Sequence, residues 1–151
     1  MQPGDLVEDF ALSDHNGTER RLSDLLANGP VVLFFYPAAM TSGCTAESCH
    51  FRDLAGEFAD LGAQPVGISP DPVAKQDEFA QTNSFGFPLL SDPDFRVAEQ
   101  FGVRRRFGPL PVKRRTFVID TDRRVLEVVR GELRMAVHAD TALETLRRRS
   151  A

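Results

Sequence analysis

Two cysteines stand five residues apart in the stretch Pro37-Ala-Ala-Met-Thr41-Ser-Gly-Cys44-Thr-Ala-Glu47-Ser-Cys49. A thiol does chemistry as its thiolate, and a thiol pair in a chain that can fold without staples is a candidate for reversible oxidation rather than bracing. Position decides how readily the first thiol reacts. Thr41, Ser42 and Gly43 supply N-cap oxygens or unusual backbone angles, and from Thr45 onward the sequence is helical in pattern. Cys44 therefore falls in the first helical turn, where free backbone N–H groups and the helix dipole favour an anion, so a thiol there should lose its proton more readily than a free one. The expected nucleophile is Cys44, with Cys49 as its redox partner.

The elements that hold this loop are legible around it. Val31 to Tyr36 is an unbroken apolar run after Asn28-Gly29-Pro30, which suits a central strand covered on both faces. After the loop, Phe51, Leu54, Phe58 and Leu61 recur at three- and four-residue intervals up to Gly62, predicting one amphipathic helix of about five turns. His50, beside an inward-facing neighbour, is expected to point elsewhere. The entry segment reads as a small hairpin: Phe10 to Leu12 and Arg20 to Leu22 flank Asn16-Gly17, with His15 a turn residue only. Ser23 to Leu26 starts a short helix.

Pro65 to Ile68 is a second strand, and Ser69-Pro-Asp71-Pro72 gives a turn, then Asp71 as N-cap and Pro72 at the first position of a helix running to about Asn83. Phe87 to Leu90 is briefly extended, and Asp92-Pro93 caps a helix with Val97 and Phe101 that ends at Gly102. Arg115 to Asp120 and Arg124 to Val129 read as strands joined at Thr121-Asp122. Ala136 to Arg149 is a closing helix with Val137, Leu143 and Leu146 inward and a basic end that suits its dipole. Strands alternating with helices make an α/β domain.

Composition bounds the function. A chain of 151 residues that is 42% hydrophobic can bury one core, so residues 1–151 are expected to form a single domain. A formal net charge of −4 gives no support to a nucleic-acid partner. The basic residues Arg104-Arg-Arg106 and Lys113 to Arg115 have Phe107 as their one interleaved aromatic and read as a solvated loop. No leader pattern opens the sequence and no run approaches a membrane span, so no membrane and a cytoplasmic location are expected.

The P-x-x-x-T-x-x-C pattern at Pro37 to Cys44, extended by Cys44-Thr-Ala-Glu47-Ser-Cys49-His-Phe-Arg-Asp53, resembles the peroxiredoxins, specifically the bacterioferritin comigratory protein or Q-type subfamily. The resemblance runs nearly end to end, through PGDLVEDFAL, GISPD, LLSDPD and RTFVID. It implies a thioredoxin-like fold with an N-terminal hairpin extension and an inserted helix. It also implies a thiol peroxidase in which Cys44 is oxidised to a sulfenic acid and Cys49 condenses with it to a disulfide. Thr41 and the Cys44 backbone N–H would hold the peroxide, Pro37 would shield the thiolate from water, and an arginine would stabilise the developing charge. The family pattern R-x-[ST]-F puts that arginine at Arg114, and alternation along a strand places Arg115 on the opposite face. Glu47 reads as a favourable first-turn charge. Many relatives have glycine where the second strand turn carries Arg123. No metal or organic cofactor is implied. Hydrogen peroxide and alkyl hydroperoxides are the implied substrates, thioredoxin or a glutaredoxin-like protein the reductant, and a monomer the usual state. Two rival classes are a dithiol–disulfide exchanger and a copper-binding chaperone that would add His138 to the cysteines. The C-x4-C spacing and the threonine ahead of Cys44 weigh against both.

Overall fold

The computed structural model describes residues 1–132 and 135–150. The chain opens with a two-stranded antiparallel hairpin, β1 (Ala11–Ser13) and β2 (Glu19–Arg21), followed by a short helix, α1 (Leu22–Leu26). Next come β3 (Val31–Phe35), α2 (Ser42–Asp53), α3 (Ala55–Asp60), β4 (Gln64–Ser69), α4 (Val73–Asn83), β5 (Leu89–Ser91) and α5 (Arg96–Gln100). The antiparallel pair β6 (Arg115–Ile119) and β7 (Val125–Arg130) and the helix α6 (Met135–Ser150) complete it. The main sheet has the order β5-β4-β3-β6-β7, so β3 lies in the middle, parallel to β4 and antiparallel to β6. A mixed sheet built this way is the thioredoxin-like core, with the hairpin as its N-terminal extension and β5–α5 inserted between α4 and β6.

All five residues of β3 are buried, because each of its faces meets a different layer. Val31, Leu33 and Phe35 pack with α1, α5 and Val7, while Val32, Phe34 and Tyr36 pack with α2, α3, α4 and α6. The second layer is aromatic. The Phe34 ring stacks on Phe51 at 4.2 Å, and Phe51 meets Phe58 at 5.9 Å, which anchors the later part of α2 to the central strand. Gly29 introduces β3 at φ 132°, and a side chain there would collide with the Gly62 carbonyl oxygen.

Several boundaries differ from expectation for identifiable reasons. The single five-turn helix is two, broken at Leu54, whose φ of −96° and ψ of 6° leave the helical region. Asp71 does not cap α4: its carboxylate is taken up by the Ala39 N–H in the loop ahead of α2 and by the Ser69 hydroxyl, and Pro72 occupies the N-cap position outside the helix. The N-cap position of α5 is Phe95, not Asp92, but the Asp92 carboxylate still serves the start of the helix, accepting the Val97 and Ala98 N–H groups at 3.2 and 2.9 Å. In α6 the inward face carries His138, Ala142 and Leu146, and Val137 is only half-buried. His15 is more than a turn residue, since its Nδ1 accepts the Leu89 N–H at 3.2 Å.

Arg123 sits in the β6–β7 turn at φ 67°, the left-handed region that glycine enters without a Cβ penalty. Relief of that penalty exceeds the extra unfolded-state freedom of glycine. Arg123→Gly is therefore expected to raise the unfolding free energy by roughly 0.5–1 kcal/mol. Denaturant melts of both proteins check this, and an unchanged or lower midpoint counts against it.

Candidate active site

β3 delivers the loop that carries the first cysteine. Its hydrogen bonding continues one residue further, with the Tyr36 N–H donating to the Ile68 carbonyl at 3.0 Å, before Pro37 removes the next donor. The buried Tyr36 hydroxyl donates to Gln76 Oε1 at 2.6 Å, and Gln76 Nε2 donates to the Leu90 carbonyl at 2.7 Å, which ties the strand end to α4 and β5. The loop itself is held by Asp71. Its carboxylate accepts the Ala39 N–H at 2.6 Å and the Ser69 hydroxyl at 2.7 Å, while the Ser91 hydroxyl donates to the Asp71 carbonyl at 2.6 Å. Met40 has φ 67°, a strained conformation that a loop so pinned can maintain. Thr41 then occupies the N-cap position of α2, with its hydroxyl donating to the Ala38 carbonyl at 2.9 Å and accepting from no helix amide.

Because α2 starts at Ser42, the Cys44 N–H is among the first amides of the helix, which have no intrahelical acceptor. The Cys44 side chain is fully buried. Its sulfur accepts from Arg114 Nη2 at 3.2 Å, and Arg114 Nη1 donates to Glu47 Oε1 at 2.7 Å. Arg114 comes from the residue just before β6. Since Arg115 pairs with Phe35 across the sheet, Arg114 lies level with the end of β3, where the loop departs. Burial disfavours its charge, but Glu47 and Cys44 outweigh that and hold the guanidinium above its ordinary value. Arg115 faces the other way, its Nη1 donating to the Arg114 carbonyl at 2.9 Å and lying 3.7 Å from Glu132.

Glu47 is the residue whose place the sequence did not disclose. It is fully buried, and burial pushes its carboxyl up to about 7 against the opposing pull of Arg114. Its Oε2 lies 3.5 Å from Nδ1 of the equally buried His138. An acid three residues after the nucleophile lies on the same helical face, and that spacing was the one available signal. His138 also contacts the Thr116 hydroxyl at 2.7 Å and the Gly131 carbonyl at 2.9 Å, so both ring nitrogens are engaged within the fold.

Cys49 remains on α2, half-buried, with its thiol 3.6 Å from Asn83 Oδ1. Asn83 is tied in turn to the same helix through Arg52, whose Nη1 donates to the Asn83 carbonyl at 2.7 Å. Both cysteines are free thiols. His50 points outward and meets Asp140 at 2.8 Å on the surface. Of the residues singled out from the sequence, then, Cys44 and Arg114 are in contact, Pro37 and Thr41 bracket the loop beside them, and Cys49 is held apart against α4.

A buried sulfur accepting from a permanently charged guanidinium, on a thioredoxin-like fold, defines a thiol-dependent oxidoreductase site. Residues 3–128 match the AhpC/TSA family. Peroxiredoxin Bcp of Bacillus subtilis is 36% identical over 152 residues, covering 97% of this chain and 96% of its own. Among solved structures, peroxidoxin BcpB of Mycobacterium tuberculosis superposes with a TM-score of 0.94 at 62% identity, covering 98% of this chain and 97% of that one. The bacterioferritin comigratory protein of Xanthomonas campestris, described for its alkyl peroxide reduction activity, gives 0.86 at 32% identity over 94% of this chain and 92% of its own. The chain belongs to the AhpC/TSA family and, within it, to the Bcp or Q-type peroxiredoxins; it is a thiol peroxidase.

The two neighbouring arginines make the electrostatic account testable. Removing a donor aimed at developing charge costs roughly 3 kcal/mol, or about a hundredfold in rate. Arg114→Ala is expected to slow the oxidation of Cys44 by that order, and Arg115→Ala by far less. Stopped-flow oxidation of the two variants measures the difference, and a slower Arg115→Ala would reverse the assignment.

Proposed function

We propose that the protein reduces hydrogen peroxide and alkyl hydroperoxides by a two-cysteine cycle within one chain. The Cys44 thiolate attacks one peroxide oxygen, the O–O bond breaks, and the other oxygen leaves as water or an alcohol once protonated. Cys44 is left as a sulfenic acid. The Cys49 thiol condenses with it, releasing water and forming a disulfide, and an external dithiol returns two electrons and two protons. Thioredoxin or a glutaredoxin-like protein fills that role. Arg114 stabilises the charge that spreads over sulfur and the departing oxygen. The Thr41 hydroxyl and the Cys44 N–H hold the peroxide, and Pro37 keeps water from the sulfur. No cofactor takes part.

The observation that carries this reading is the Arg114 guanidinium placed 3.2 Å from the Cys44 sulfur in a buried site. A donor there serves an anion, which neither a structural thiol nor an apolar core cysteine requires. The alkyl peroxide activity described for the Xanthomonas campestris relative supports the substrate class. Dithiol exchange is less well served, because the attacking thiol, Cys44, is fully buried and out of reach of a protein disulfide. Copper binding is less well served too, because the nitrogens of His138 are engaged with Thr116 and Gly131. The same reading makes residues 1–151 one working domain, a monomer with both cysteines in one chain. No helix among the described residues is long and apolar enough to cross a membrane, and the cytoplasm is the reducing compartment in which a free thiol pair is recycled.

Cys44→Ser is expected to abolish peroxide consumption. Cys49→Ser should oxidise once at Cys44, as read by mass spectrometry of the adduct-trapped sulfenic acid, and then recycle poorly with thioredoxin. Steady-state turnover of Cys49→Ser equal to that of the unmodified protein would remove Cys49 from the cycle.

A further inference from the structure

Two fully buried titratable groups, Glu47 and His138, have no part in the steps of peroxide reduction, yet they adjoin the arginine that does. The hydrogen bonds around His138 fix one of its protons. Its Nε2 lies 2.9 Å from the Gly131 carbonyl, which can only accept, so Nε2 carries a hydrogen. Nδ1 is left to face the Thr116 hydroxyl at 2.7 Å and Glu47 Oε2 at 3.5 Å. Glu47 Oε1 is taken by Arg114, and Oε2 has no hydrogen bond among the described residues. With Nδ1 unprotonated and accepting from the Thr116 hydroxyl, an ionised Glu47 would leave Oε2 a buried anionic oxygen with no donor among the described residues, which is costly. One proton between the two atoms removes that cost. It can sit on Oε2 beside a neutral imidazole, or on Nδ1 beside a carboxylate, and the net charge of the pair is the same in both forms.

We propose that Glu47 and His138 hold one proton in common between Oε2 and Nδ1, and that through it His138 is a positioning residue, keeping the Arg114 charge available to Cys44. The proposal rests on Cys44 being the peroxide-attacking thiol. Among the described residues, the charges that face the pair are few. They are Cys44 from α2, Arg114 and Arg115 at the start of β6, and Glu132 after β7, itself bonded to Arg105 at 2.9 Å. Of the titratable side chains on α6, His138 alone is buried; Asp140 is turned out to His50. With the shared proton present, the pair is neutral and the Arg114 cation answers the Cys44 thiolate. Once the proton is lost, a second full anion bears on Arg114 and repels the negative charge that develops on sulfur and the departing oxygen. Burial acts in the same direction, pushing Glu47 up to about 7 and His138 below its usual range, so each favours its neutral form.

The test is single-turnover oxidation of Cys44 by hydrogen peroxide from about pH 5 to about pH 9 in the unmodified protein, Glu47→Gln and His138→Gln. The unmodified protein should lose rate on the alkaline side as the shared proton leaves. Glu47→Gln, which cannot become an anion, should show no such loss. His138→Gln removes one of the two places for the proton, so its loss should begin at lower pH, leaving it on the order of tenfold slower than the unmodified protein near pH 8. A purely structural histidine would lower the rate without moving the limb. An alkaline limb missing from the unmodified protein, or unchanged in either variant, overturns the proposal. A protein whose Cys44 is not oxidised at any pH refutes the peroxidase reading instead. Nitrogen-15 NMR of the unmodified protein supplies a second readout should a variant fold poorly. The Nδ1 signal of His138 should move with the midpoint of the rate limb while Nε2 keeps its hydrogen. A stationary Nδ1 signal contradicts the shared proton.

Discussion

A buried cation is the constraint on which the site depends. Arg114 is 4% exposed, and a guanidinium at that depth is tolerable only if its hydrogen-bond donors meet anions or good acceptors. Cys44 and Glu47, one turn apart on α2, are the partners of its two terminal nitrogens, while Nε has none among the described residues, so a single side chain from the start of β6 fixes both the rotation of the helix and its distance from the sheet. The loop ahead of the helix is fixed independently, through the Asp71 carboxylate on the Ala39 N–H. Sulfur, arginine and loop amides are thus brought to one point by elements from three parts of the chain, before any substrate arrives.

The same helix creates a conflict that the proposed Cys44–Cys49 disulfide would have to resolve. Cys44 and Cys49 both lie within Ser42–Asp53, and residues five apart on an α-helix are separated by about 140° and roughly 7.5 Å of rise, which puts their Cα atoms about 8–9 Å apart. Disulfide-linked Cα atoms lie within roughly 7 Å, so the bond requires the first turns to unwind. Their composition permits it. Ser42, Gly43, Thr45 and Ser48 are modest helix formers, and the buried Ser48 hydroxyl has no hydrogen-bond partner among the described residues. Beyond His50 the restraint is strong, since Phe51 and Phe58 are stacked through the Phe34 layer. The weak half of the helix carries both cysteines and the strong half carries the packing.

What the sequence disclosed follows from how local each signal was. The apolar run of β3, the Asn16-Gly17 hairpin turn and the extent of the helix ending at Asn83 depend on neighbours along the chain, and they could be read directly. That Arg114 and not Arg115 meets Cys44 needed only strand alternation and a family pattern. The break at Leu54 escaped because one non-helical residue leaves the three- and four-residue spacing of Phe51, Leu54 and Phe58 intact. Asp71 looked like a helix cap because its real partner, the Ala39 amide, is distant in sequence. Glu47 looked like a first-turn charge because a glutamate facing solvent and one facing a buried arginine are the same letter. His138, at intervals of four from Ala142 and Leu146, could have been placed on the inward face of α6, but its partners could not.

In the proposed cycle α2 is intact while Cys44 is reduced and locally unwound once it is bonded to Cys49. Amide hydrogen exchange on the two redox forms measures this most directly. Oxidation should remove protection between about Thr41 and His50 and leave the segment from Leu54 to Leu61 nearly unchanged. Unchanged protection from Thr41 to His50, in a sample whose Cys44–Cys49 bond is established by mass spectrometry, would contradict it.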